Sequence, residues 1–137
     1  MTILTVLPAR FAAAILLLVV ALPATAQPLS SVRLEHLPAN AAGAVMGRRV
    51  LGPTGEEMGR VVNVLVDTAG NPVAAVVDFG GFLGVGVHRV AVGWSLLGFT
   101  IGKTGARISI DIAPEVIASS PEYRPGEDAE MLQRLAP

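Results

Sequence analysis

From Val45 onward the chain alternates short apolar runs with turn residues. Val45 to Leu51 reads as a first strand, with Arg48 and Arg49 facing solvent or an edge. Gly52-Pro53-Thr54-Gly55-Glu56-Glu57 then breaks the run, with glycine and proline as punctuation. Met58 to Asp67 is a second strand whose β-branched density suits a pleated surface. The turn Asp67-Thr68-Ala69-Gly70-Asn71-Pro72 leads into Val73 to Gly80, so continuously apolar that cover on both faces is expected. Val87 to Trp94 is the next strand, then Leu96 to Ile101 and Arg107 to Ile112, joined by Gly102-Lys103-Thr104-Gly105. In the last of these Arg107, Ser109 and Asp111 alternate with Ile108, Ile110 and Ile112, the pattern of a half-buried strand. About six short strands with turns at this spacing predict an all-β barrel or sandwich. The connections are too short for crossover helices, so mostly antiparallel pairing follows.

The flanks follow other rules. Pro114 to Ser120 predicts a short C-terminal helix: proline fits its first turn, Glu115 suits the helix dipole, Asp111 is a candidate cap and Pro121 ends it. Residues 124–137 read as a flexible acidic tail, although Met131, Leu132 and Leu135 have helical spacing. Residues 27–44 hold no sustained period and read as a linker. At the N-terminus a charge at Arg10 precedes the unbroken apolar run Phe11 to Leu22, and Pro23-Ala24-Thr25-Ala26 offers small residues at its exit. That order predicts a signal peptide over 1–26 cleaved after Ala26, hence a periplasmic or secreted protein. The run falls short of the roughly 20 residues a membrane span needs. Membrane association is expected only if the segment stays uncleaved.

Removing Arg10 with the leader leaves nine basic and eleven acidic side chains, a net charge of −2. That balance argues against a nucleic-acid groove. The chain has no cysteine, so no disulfide framework is available to it.

Between the third and fourth strands lies the most distinctive stretch, Phe79 to Trp94. Gly80, Gly81, Gly84 and Gly86 imply left-handed or closely approached backbone. Phe82 and Leu83 sit among them, with Val85 beside them, and Trp94, the sole tryptophan, ends the run. Two placements are open for Phe82 and Leu83: folded back over one end of the domain, or exposed as an apolar tip for a partner. Gly84-Val85-Gly86 begins like a dinucleotide loop, but the third glycine is missing and a strand follows where a helix should start.

Other chemistry candidates resolve to turns and packing. Asp67-Thr68-Ala69-Gly70 has alanine where an aspartic protease motif has glycine, and Asn71-Pro72 marks it as a turn. His36 and His88 lack partners at metal-ligand spacing. Ser95 has no histidine and acid arranged around it. Glu56 and Glu57 read as a solvated turn and Trp94 as a core or barrel-end plug. A small-ligand site or weak hydrolase would need convergence near Asp67, Asp78 or His88.

The order of Gly47-Arg48-Arg49-Val50, Gly55-Glu56-Glu57-Met58-Gly59-Arg60-Val61, Val64-Leu65-Val66-Asp67, Val76 to Gly86, Val90-Ala91-Val92-Gly93-Trp94 and Ser120-Pro121-Glu122-Tyr123 resembles the PRC-barrel family. Asn63 stands where members often carry an acid, Gly93 where proline usually precedes the tryptophan, and His88 where a charged residue is common. The resemblance implies a small antiparallel β-barrel over 45–123, used for assembly or protein contact, with no shared catalytic residue. The expectation is thus a non-catalytic exported interaction module with no cofactor and no metal. Phe82, Leu83 and Val85 would contact a protein partner or a second copy of the chain, and Gly80, Gly81, Gly84, Gly86 and Trp94 would shape the loop. The alternative is a periplasmic small-ligand-binding module or weak hydrolase.

Overall fold

Alternation with a period of two leaves a strand such as Arg107 to Ile112 one face to bury, the continuously apolar run from Val73 has two, and a single sheet accommodates both. A computed structural model of the chain describes residues 2, 32–80 and 86–136. Its strands are β1 (Arg49–Leu51), β2 (Glu57–Val66), β3 (Pro72–Phe79), β4 (His88–Gly93), β5 (Leu97–Gly102), β6 (Gly105–Ile110) and β7 (Met131–Leu132). Among the described residues one helix, α1 (Pro114–Ser119), and a 3₁₀ turn at Trp94–Leu96 complete the regular structure. Residues Glu35–Pro137 form one compact unit. The expected leader, of which only Thr2 is described, and Gly81, Phe82, Leu83, Gly84 and Val85 lie outside the described residues.

The sheet runs β5-β6-β1-β2-β3-β4-β7. Its β1–β2, β2–β3, β3–β4 and β5–β6 pairs are antiparallel, as the short connections require. The β1–β6 and β4–β7 pairs are parallel. The all-β expectation holds, with seven strands rather than six. Closure does not: among the described residues β5 and β7 are edges, and the sheet is open.

Burial follows the pattern of the sequence. Ala74, Ala75, Val76 and Val77 are all buried, so β3 is covered on both faces. In β6 Ala106, Ile108 and Ile110 turn inward while Arg107 and Ser109 stay exposed. Val50, Met58, Val61, Phe79, Val90 and Val92 join Ile108, Ile110 and Ile117 in one core. Two register shifts in the β2–β3 pair, one with the extra residue Val62 on β2 and one with the extra residue Val73 on β3, raise local twist and let the sheet curl around that core.

Three expectations give way to local geometry. The first strand is three residues long, not seven, because Gly47 takes φ +74° and its amide bonds the Val61 carbonyl at 2.8 Å. Asp111 does not cap the helix; Ala113 is the N-cap and no side chain bonds it, while Pro114 and Glu115 hold the first turn as expected. The tail from 124 is neither helical nor wholly free: β7 pairs with Ala91 and Val92 of β4, and Leu132 packs against the core. Backbone pairing with an open strand edge outweighs the weak helical spacing of Met131, Leu132 and Leu135. In the glycine loop Gly86 has the expected left-handed backbone (φ +75°), while Gly80 does not. Trp94 begins the 3₁₀ turn and stacks on Phe99 with ring centroids 4.7 Å apart.

Candidate functional site

The carboxylates and histidine that a catalytic or small-ligand pocket would require are each engaged structurally, and separately. Asp67 closes the β2–β3 turn: its Oδ1 accepts from the amides of Ala69 and Asn71, both at 2.9 Å. The Asn71 amide bond in particular holds the Asp67 carboxyl below the usual carboxylate range. Asp78 lies opposite Arg89 across β3 and β4. The Arg89 guanidinium grips it in a fork, 2.5 Å from Nε and 2.7 Å from Nη2, and those bonds lower its carboxyl. His88 donates from Nε2 to the Ser120 carbonyl at 2.9 Å. Neighbours on a strand face opposite ways, so Arg89 and His88 turn to different sides. Asp67 lies a further six-residue rise along β3 from Asp78, roughly 20 Å. The three do not converge.

The remaining candidates are also dispersed. Glu56 accepts from the Thr54 hydroxyl and, at 3.0 Å, from its amide; the hydroxyl bond chiefly lowers its carboxyl. His36 and Ser95 are exposed. Among the described residues no group of three or more His, Cys, Asp or Glu is placed to hold a metal ion. Nor is any described helix long and apolar enough to cross a membrane.

The structure instead gathers arginines. Arg49 of β1 stands directly opposite Arg60 of β2. In the parallel β1–β6 pair Val50 aligns with Ile108, so the preceding residues, Arg49 and Arg107, also lie side by side. Arg107, Arg49 and Arg60 therefore form a row across three adjacent strands, about 4.8 Å from strand to strand. Like charges directly opposite in a sheet repel. Glu57 relieves part of this: its Oε2 lies 3.1 Å from Arg49 Nε and its Oε1 3.3 Å from Arg60 Nη2. Arg60 Nη1 also donates to the Gly47 carbonyl at 2.9 Å. Arg48 enters from the bend before β1, and its guanidinium occupies the space where a side chain at Gly105 would begin. Together with Thr104, Gly105 and Ala106 these four arginines line a cleft of about 410 Å³. Arg48 and Arg107 have no carboxylate partner among the described residues.

The sequence predicts Arg48 and Arg49 at solvent or near an edge, and its net charge argues against a nucleic-acid groove. The charge is real, but its distribution is uneven. The signal was present in the phase of alternation, since Arg49, Arg60 and Arg107 all sit on outward positions of strands. What the sequence did not show is that β1 pairs with β6, which brings them together.

These features define a small all-β domain with an open sheet and an arginine-lined cleft at the β6–β1–β2 end. The chain belongs to the PRC-barrel domain family, whose model matches residues 41–112. The match spans β1 to β6 and leaves α1 and β7 outside it. No curated protein matches the chain in a sequence search.

Proposed function

We propose that the protein is a non-catalytic module, exported to the periplasm by its N-terminal segment, that works by contact with a protein partner. The arginine cleft is the contact surface, and one observation carries this reading: four arginines line one cleft, and among the described residues a single carboxylate, Glu57, pairs with any of them, lying between two. An acidic face on a partner would supply the charge this end of the sheet lacks, and Arg is the residue best suited to desolvated contacts of that kind. The engaged state of Asp67, Asp78 and His88 supports binding over catalysis. The cleft also supports the alternative of a small-ligand module, at a different place from the one the sequence indicated. Among the described residues it offers no aromatic side chain on which a nucleic-acid base would stack.

The test is capture from a native envelope extract with three proteins in parallel: the unmodified chain, Arg49→Glu combined with Arg107→Glu, and Phe82→Asp combined with Leu83→Asp. The cleft reversal should abolish capture of a defined partner while the fold, followed by Trp94 fluorescence, persists. Loss only in the loop variant would move the contact to Phe82 and Leu83. Mass spectrometry of the exported protein should find Gln27 as the first residue; an N-terminus at Met1 would refute cleavage.

A further inference from the structure

We propose that the arginine cleft binds a phosphoryl group carried on a small molecule. The inference rests on the reading of the cleft as the contact surface and adds a ligand to it. Its charge balance comes first. Glu57 is shared between Arg49 and Arg60, which leaves Arg48 and Arg107 without a carboxylate among the described residues. A carboxylate ligand would bring one charge and two oxygens. A phosphate monoester brings up to two charges and three acceptor oxygens, and planar guanidinium forks match it in pairs.

Preorganisation is the second argument. The Arg48 guanidinium lies directly over Gly105, where any Cβ would collide with it. Arg60 is tied to Gly47 and Glu57, and Arg49 to Glu57. Two of the four cations, Arg49 and Arg60, are thus held by this chain, so less side-chain freedom is lost when an anion arrives. Shape is the third argument. A cleft of about 410 Å³ falls within the range of small-molecule sites and exceeds what a lone phosphate fills. Beyond the arginines and the Thr104 hydroxyl, Leu51 and Ala106 supply an apolar wall. That combination fits a phosphate monoester with a compact neutral body.

The same chemistry reaches an exported protein as a soluble ester or as a lipid headgroup, and two probes separate these. Phenyl phosphate is titrated calorimetrically into the full chain, beside benzoate and inorganic phosphate. Vesicles containing phosphatidic acid are tested for sedimentation of the chain against vesicles of phosphatidylcholine alone. Saturable binding of phenyl phosphate, stronger than of benzoate or inorganic phosphate, is the expected result. Arg48→Ala and Arg107→Ala should each weaken it about tenfold to a hundredfold, the effect of removing a charge-assisted bond. Arg48→Lys should also weaken it, because charge remains but the fork is lost. Arg124→Ala, beside Glu122 and away from the cleft, should leave it unchanged. Binding should fall as salt rises, and as pH drops through about 6, where the ester dianion takes a proton.

Arginine-dependent sedimentation with phosphatidic acid would assign the lipid source, and its absence beside phenyl phosphate binding the soluble one. No saturable binding of either probe overturns the proposal, as does equal binding of benzoate, or indifference to Arg48→Ala and Arg107→Ala. A hexaglutamate peptide completes the set: if it alone binds, the phosphoryl site is refuted while the acidic-partner reading stands. Trp94 fluorescence of each variant verifies that the fold is intact.

Discussion

Ile117 carries the attachment of α1 to the sheet. It is the helix's only buried residue, fully inaccessible to solvent, and a member of the core. A helix of six residues has no stability of its own in water, so docking must hold it. Ile117→Ala removes three carbons from the core, worth about 2.4 kcal/mol at about 0.8 kcal/mol per buried CH₂. A residual cavity would add to this, up to a total of about 4 kcal/mol, unless the helix settles inward. Ile117→Val should cost about 1 kcal/mol. Val116→Ala, on the neighbouring exposed position, should stay within about 0.5 kcal/mol of the parent. The assay is urea unfolding followed by Trp94, which packs against the same core and stacks on Phe99. For a domain of about 100 residues, a loss of about 2.4 kcal/mol lowers Tm by roughly 10–20 °C. If Ile117→Ala proves as mild as Val116→Ala, the helix is not held through this residue and the reasoning fails. The helix also feeds the segment that covers β4, since the Ser120 carbonyl accepts from His88 and the Tyr123 amide bonds the Arg89 carbonyl at 2.8 Å. Ile117→Ala should therefore speed proteolysis after residue 120 as well.

Gly93→Ala would place a Cβ 2.7 Å from the Leu132 carbonyl oxygen, so β7 should detach, with a loss of about 1–3 kcal/mol and faster cleavage between 124 and 133 in limited proteolysis. Gly105 has φ +104°, and a Cβ there would meet the Arg48 guanidinium. Gly105→Ala should cost about 1 kcal/mol or more in urea unfolding and, by displacing Arg48, weaken phenyl phosphate binding. The bonds from Arg89 lower the Asp78 carboxyl, so Asp78 contributes stability above its unfolded-state value of about 3.9, and that contribution is lost as pH falls below it through the lowered folded value. Asp78→Asn should therefore be less stable than the parent at pH 7, with the gap closing in acid; a gap independent of pH down to strongly acidic conditions would refute the pairing.

The sequence made the strands legible because burial and alternation are local properties. Ile108, Ile110 and Arg107 declare their faces within six residues, and Ala74 to Val77 declare cover on both sides. The Asp67 turn was legible for the same reason: its carboxylate bonds amides two and four residues on. The cleft was not, because it depends on which strands become neighbours. Arg49 and Arg107 are far apart in the chain and meet only through the parallel β1–β6 pair. Net charge is silent on the cleft for the same reason, since a sum over the chain carries no information about place. The tail failed for a related cause. Met131 and Leu132 hold too few residues to fix their own conformation, so the open edge of β4 decides it, with Gly93 leaving room for the Leu132 carbonyl. Glycine at 93 thus fits a strand that must accept a neighbour at close range. Local grammar is enough to find the elements of such a domain. The arginine cleft is written in strand pairing, and only the partners of β1 bring it into view.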